Sequence, residues 1–481
     1  MTLGFKFSAY PTPEQQTLLL QWIGCQRMIY NCKVAEDRYF RSLQRKALSL
    51  TGQYAPIDQT YAQFKDKDQT PWLYEVPSQV LRNGAVKWVQ AYARFFKKLA
   101  GRPVFQSKTG KQSVWLTDEL FSFTPIQDSL TGKISHYHLD IGTHKHKIGQ
   151  IQFKAHRKFV PPKSLHVSVE AGYWFISFCN ESLTEQFQPT SAEIQAELAL
   201  WSEKELSEVT LGIDRGVVIP VAVSNGQTFD FLPQQKAKVA KQELHRKRWQ
   251  RKQARRVKGS KNYQKAQKKV AKSYQYAKNV RLNFNHQVSH QLVSQPNVRL
   301  IVFEALNVKG MTKAPLPKPD PAREGVYLPN GARAKAGLNK SILSIGWSQL
   351  LAFTQYKALQ HNQLCVTVPP HFTSQECSEC GHIHSDNRLT QSRFVCQACG
   401  FTLNADHNAS RVIAKKGIHH VLTDSVKKKE SKTVMRLSKK HKKEISVGEE
   451  CSELPLQWEN AHGEKHFHQA QPERKEVFSL K

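Results

Sequence analysis

The chain has 481 residues, 39% of them apolar, with 71 Lys and Arg against 39 Asp and Glu for a formal charge of +32. That length allows two or three domains, and nine Trp with 24 Phe can fill real cores, which excludes a disordered or fibrous class. A cationic surplus of this size needs a polyanion; no run nears the ~20 apolar residues that span a bilayer, and no secretory signal opens the chain, so nucleic acid is favoured over membrane.

Leu3 to Ala9 alternates apolar and polar residues and predicts a strand. Thr12-Pro13-Glu14-Gln15 then supplies a helix cap, followed by a helical period through Leu19, Trp22, Ile29 and Cys32. A second helix is expected from about Ser78 to Leu99, giving a helical unit over 11–101. From Pro103 to Glu181 short β-branched and aromatic runs predict strands: Val114–Leu116, His136–Ile141, Ile148–Phe153, Leu165–Val169 and Tyr173–Phe178. The last two flank Glu170-Ala171-Gly172, a hairpin signal, and a small barrel-like β domain (1–10 with 102–190) is expected. A polar linker over 191–208 should close it.

Beyond Val209 come three strands (Val209–Asp214, Val217–Val223, Thr228–Phe231), a long basic helical stretch, the strand Val298–Phe303, a helix near Asn339–His361, the strand Leu364–Val368, and a last helix starting near Asp406. That order predicts an RNase H-like α/β domain over 209–370 and 404–417. Residues 418–481, polar and of mixed charge, are expected to be a disordered tail.

Three carboxylates in this α/β region have the placement that phosphodiester hydrolysis needs. Two divalent ions ~3.5–4 Å apart can activate water and stabilise the leaving oxygen, and such ions want hard oxygen ligands on rigid supports. Asp214 ends the apolar strand Leu211-Gly212-Ile213, Glu304 ends Leu300-Ile301-Val302-Phe303, and Asp406 opens a helix. Taken singly each could be a turn or capping residue, and Asp406 could be an N-cap. Their matched positions favour a catalytic set holding Mg²⁺ or Mn²⁺.

Cys377-Ser378-Glu379-Cys380 and Cys396-Gln397-Ala398-Cys399 are two C-x-x-C pairs fifteen residues apart, each followed by Gly. The spacing predicts a structural Cys₄ zinc ribbon over 371–403 with no open coordination position. The other five cysteines are scattered, which fits a reducing, cytoplasmic setting. Between Lys236 and Arg281 lie eighteen Lys or Arg and one acid, Glu243, with Trp and Tyr interleaved. A solvated helix face normally mixes both signs, so this stretch is expected to contact nucleic acid, with Arg248, Arg251, Lys252, Arg255, Arg256, Lys261 and Lys265 as candidate contacts.

These residues together resemble the TnpB family, formerly called OrfB transposases and related to type V CRISPR nucleases. The marks are Tyr10-Pro11-Thr12-Pro13-Glu14-Gln15, Gly212-Ile213-Asp214-Arg215-Gly216, Phe303-Glu304-Ala305-Leu306, Gly337-Leu338-Asn339-Lys340-Ser341, the ribbon after Thr373-Ser374-Gln375-Glu376, and Ala405-Asp406-His407-Asn408-Ala409. The resemblance covers the chain to about residue 416 and implies a guide RNA, a double-stranded DNA target and cleavage at one RuvC-type site. It also implies that the helical unit is a recognition domain and the β domain a wedge domain. Arg215 stands where many relatives carry an apolar residue. A compact CRISPR effector, a repressor and a DNA-joining transposase of the same fold are the alternatives.

Overall fold

A computed structural model describes residues 2–46, 57–127, 134–155, 159–181 and 189–441. The chain divides into two units, Met1–Thr423 and Asp424–Lys481. The first unit begins with strand β1 (Thr2–Tyr10) and helix α1 (Pro13–Lys46). The expected cap forms at their junction, where Thr12 Oγ1 accepts from Gln15 N and Gln15 Oε1 accepts from Thr12 N at 3.0 Å. Helix α2 (Ser78–Phe96) follows, ending short of the expected Leu99. Then come β2 (Gln112–Thr117), β3 (Phe121–Gln127), β4 (Ile134–Gly142), β5 (Lys147–Lys154), β6 (Ser164–Glu170) and β7 (Tyr173–Glu181).

These strands make one antiparallel sheet in the order β2-β6-β7-β1-β5-β4-β3. Strand β3 was not among the predicted strands because Pro125 reads as a break; it is an end strand, where a missing N–H costs no ladder bond. The β6–β7 turn sets Ala171 and Gly172 both at positive φ, 52° and 83°, as a two-residue hairpin loop requires. Helices and sheet are not separate bodies: Leu19, Trp22 and Leu81 share one core with Phe7, Phe153 and Ile176.

Residues 191–208, expected as a polar linker, form helices α3 (Ser191–Leu198) and α4 (Glu203–Val209). Capping boxes at Thr190/Glu193 and Ser202/Glu205 start each one, and Ile194, Leu198 and Leu206 are buried. The acidic composition hid this short apolar spacing.

Next come β8 (Thr210–Asp214), β9 (Val221–Val223), β10 (Thr228–Phe229), helices α5 (Pro233–Ala254) and α6 (Lys261–Val293), and β11 (Leu300–Glu304). The basic stretch is thus two helices, broken where Gly259 takes φ +87° and Ser260 caps α6. A short helix α7 (Val308–Met311) and the small strands β12 (Lys318–Pro319) and β13 (Tyr327–Leu328) lead to α8 (Ala332–Ile345), α9 (Trp347–Gln360) and β14 (Leu364–Val368). The single helix expected near 339–361 is two, because Gly346 between them is left-handed at φ +79°. Strands β15 (Arg393–Val395) and β16 (Thr402–Asn404) and helix α10 (Ala405–His441) complete the described chain.

The second sheet runs β10-β9-β8-β11-β14, with β8, β11 and β14 parallel and β9 and β10 antiparallel. Alternation along its strands builds two faces. Leu211, Ile213, Ile301 and Phe303 pack against α6 and α9 residues such as Val288 and Leu350. Leu300 and Val302 pack on the opposite side with α3, α4 and α10. Helix α10 presses directly on this second face. A Cβ on Gly212 would lie 1.9 Å from the Ser410 carbonyl oxygen, and one on Gly417 would lie 2.2 Å from Val302 Cγ2.

The expected tail boundary at 417 is therefore corrected. Helix α10 continues, and Ile418 and Val421 sit in the core at one-turn spacing. The remaining tail, 442–481, lies outside the described residues.

Candidate active site and cysteine ribbon

Parity places the carboxylates. Asp214 shares a strand face with Gly212, and Glu304 with Val302, the two positions that touch α10. Strands β8 and β11 are parallel neighbours in the register Phe303↔Ile213, so both acids emerge at the same sheet end. Asp406 is the second residue of α10. The helix is capped by Asn404, whose Oδ1 accepts from Asp406 N at 3.0 Å and from His407 N at 3.3 Å. Asp406 is thus not the cap, and its side chain is left to face the other acids. His407 Nδ1 lies 3.3 Å from the Val223 carbonyl and pins this end of the helix to β9.

Burial and the nearby charges of Glu304 and Asp406 push the Asp214 carboxyl up to about 7, against the opposing pull of Arg388. Glu304 is buried, and its Oε1 accepts from Thr373 Oγ1 at 2.6 Å. Arg215 is also buried; its guanidinium donates to the Glu304 backbone carbonyl and, at 3.1 Å, to the Trp347 carbonyl. Arg215 therefore braces the strand end rather than facing outward. The three acids feel one another's charge at this sheet end, with Arg388 and Arg215 as the cations beside them.

The four cysteines come together as their spacing predicts. Sγ of Cys377 and Cys399 are 3.8 Å apart, those of Cys380 and Cys396 3.6 Å, and all four lie within 4.8 Å of one another. A tetrahedral ion with Zn–S near 2.3 Å requires sulfur separations of about 3.8 Å, which these two distances match, so the four thiols could hold a zinc ion. Gly381 and Gly400 adopt φ +76° and +73°, and each donates its N–H back to the first cysteine of its pair at 3.0 Å. The glycines after each pair are what the tight turns demand. His382 and His384 stack on each other outside this cluster.

Sequence reasoning did not single out the residues joining ribbon to site. Asn387 is fully buried, donates to the Gln375 and His382 carbonyls and accepts from Gln397 N, tying the two cysteine turns together. Its neighbour Arg388 pairs with Asp406 at 3.1 Å. Asn408 of α10 clips the first turn, donating to the Glu376 carbonyl at 2.7 Å and accepting from Ser378 N at 3.0 Å. Arg388 ends a single 3-10 turn, Ser385–Arg388, too short to show a period; its only signal was a cation between two ligand pairs. Thr373 was visible merely as part of the approach to Cys377.

The seven basic candidates are all exposed on the α5–α6 hairpin. Lys252, Arg255, Arg256 and Lys265 line one cavity of about 570 Å³ with Trp249. Arg248 and Arg251 line an adjoining one, whereas Lys261 lines neither. Trp249 is held by a 2.9 Å bond to His245 and carries Lys252 4.9 Å above its ring. Among the described residues, no helix is long and apolar enough to cross a membrane.

Residues 1–38 match the model of an OrfB helix-turn-helix domain, 183–314 that of a probable transposase of the IS605 OrfB type, and 347–413 that of a Cas12f1-like TNB domain. The chain is 30% identical over 425 residues, 87% of its length and 93% of the relative's, to the putative RNA-guided DNA endonuclease InsQ of Escherichia coli. It is 26% identical over 86% of its length, and 89% of the relative's, to a putative RNA-guided DNA endonuclease of Streptomyces pristinaespiralis. A Cas12f1 endodeoxyribonuclease of Sulfoacidibacillus thermotolerans matches at 46% over 72 residues, 15% of this chain and 17% of that one. An insertion-sequence relative aligned nearly end to end, with OrfB models at both the N-terminus and the centre, shows that the chain belongs to the TnpB (IS605 OrfB) family.

Proposed function

We propose that this chain is an RNA-guided DNA endonuclease of the insertion-sequence type, cutting through a RuvC-like site made of Asp214, Glu304 and Asp406. The observation that carries the site is the convergence of the three acids: two end adjacent parallel strands on one face, and the third opens the helix that covers that face. The strand order β10-β9-β8-β11-β14 supports an RNase H-like domain. The relatives' names support the guided reaction. The CRISPR-associated match spans 72 residues and the insertion-sequence match 425, which favours the transposon setting.

Asp214, Glu304 and Asp406 would hold Mg²⁺ or Mn²⁺, which when bound supplies Lewis-acid activation of water and neutralises the phosphate. Asp214 must lose its proton to serve. Thr373 orients Glu304, and Arg215 fixes the backbone beneath it. Arg388 offers a cation at the edge of the acids, where a scissile phosphate would bring negative charge. The ribbon cysteines would hold Zn²⁺ in a closed, structural site. The seven-stranded sheet is read as the wedge barrel, its end strands β2 and β3 consecutive in the chain, and α1 with α2 as the recognition helices.

The test is to purify the chain with its bound RNA, sequence that RNA, and assay cleavage of matched DNA. A discrete structured RNA and Mg²⁺-dependent cutting that Asp214→Ala abolishes without loss of RNA are expected. A random RNA population, or persistent cutting by the variant, overturns the reading.

A further inference from the structure

The outer face of the first sheet carries a feature that neither the carboxylates nor the basic hairpin uses. On β1 the residues alternate, with Phe5, Phe7 and Ala9 buried and Lys6, Ser8 and Tyr10 exposed. Beside them on β7, Phe175 stands opposite Ser8, and Tyr173, half exposed, begins the strand two residues earlier on the same face. Two large rings turned to water on a sheet face give nothing to the core beneath. They stand instead at the wall of a groove of about 630 Å³ between this face and helix α6.

The groove is cationic as well as aromatic. Lys272 of α6 lies 5.2 Å over the Tyr173 ring, and Lys6 lies 4.2 Å over Phe175. The acid at its edge, Glu170, is doubly paired, with Lys6 and Lys278 each at 2.9 Å, so it does not repel an anion and it ties the hairpin to α6. Amides from both walls, Gln16, Gln275 and Asn279, complete the lining.

From this arrangement we infer that the groove is a stacking subsite for an unpaired stretch of RNA, one or two bases lying on Tyr10 and Tyr173 with the adjoining phosphate on Lys272. Aromatic rings on an open sheet with flanking cations are the chemistry that holds single strands without reading a duplex. The amides favour RNA over DNA, since a 2′-hydroxyl gives them a donor and an acceptor that DNA lacks. The inference rests on the guide-RNA reading for the source of the strand, but its measurement does not depend on cleavage.

The full chain carrying Tyr10→Ala and Tyr173→Ala should bind a single-stranded RNA of about ten nucleotides roughly tenfold more weakly than the parent by fluorescence anisotropy. Tyr173→Phe alone, which keeps the ring, should bind as the parent does, and ultraviolet crosslinking should join that RNA to the Tyr173 peptide. Both rings are exposed, so the thermal midpoint should not move. Unchanged RNA affinity in the double variant overturns the inference. So does a loss equally large for a fully paired RNA hairpin, or one confined to DNA of the same sequence. Failure of guided cleavage with these bindings intact would count against the proposed function and leave the groove standing.

Discussion

Arg388 Nη2 stands 3.1 Å from Asp406 Oδ1, so a side chain carried by the cysteine ribbon touches the third carboxylate of the candidate site. Asn387, bonded to both cysteine turns, fixes the backbone from which Arg388 projects. The ribbon is therefore coupled to the acids through two consecutive residues.

That coupling predicts the behaviour of Arg388→Ala. Loss of a positioned cation facing a phosphate should lower the cleavage rate by roughly 10²–10³-fold, with RNA binding unchanged. Single-turnover cleavage checks this, and a rate within twofold of the parent would remove Arg388 from the site. Arg388→Lys should recover part of the loss.

Asp214 predicts a pH dependence. Its folded carboxyl is raised to about 7, so the folded protein holds that proton more tightly than the unfolded chain does. In metal-free protein its contribution to stability is thus fullest at acid pH and declines as pH rises from about 4 through 7. Asp214→Asn should stabilise the metal-free protein at pH 8 by on the order of 2–4 kcal/mol, seen as a higher melting temperature, and should do little at pH 4. Thermal melts at the two pH values decide it. Apparent Mg²⁺ affinity of the parent should rise with pH up to about 7 and then level, because the ion competes with that proton.

Thr373→Val keeps the shape and removes the 2.6 Å bond to Glu304. Cleavage should fall roughly ten- to thirtyfold, reflecting a lost charge-assisted bond of about 1.5–2 kcal/mol, with RNA affinity intact. Thr373→Ser should restore most of the rate, an outcome that a purely packing role would not give.

Truncation separates the two possible tail boundaries. A chain ending after Gly417 loses Ile418 and Val421 from the core and should be destabilised by about 2–5 kcal/mol, whereas one ending after Thr423 keeps them. Denaturant unfolding of the two lengths distinguishes these cases; equal stability would mean that the helix end carries no weight.

Much of this was legible in the chain. Charge inside apolar strands exposed Asp214 and Glu304, and paired C-x-x-C spacing exposed the ribbon, because both patterns are local. Gly212 was legible only as part of a motif; its reason, the Ser410 carbonyl of a helix about two hundred residues later, exists only in three dimensions. The α3–α4 segment was obscured because capping boxes use the same Ser, Thr and Glu residues that mark a linker. Arg388 and Thr373 were obscured for a different reason, since a contact across a fold leaves no period along the chain.

The acids are far apart in sequence: 89 residues lie between Asp214 and Glu304, and 101 between Glu304 and Asp406. Between Glu304 and Asp406 lie α8, α9, the strand β14 that pairs with β11, and the entire cysteine ribbon. A ribosome must finish all of these before the third acid exists, and α10 must then settle against Gly212 and Gly417 before it is in place. A product terminated between Val293 and Ala405 therefore carries the whole basic α5–α6 hairpin but neither Asp406 nor the helix that presses on Gly212.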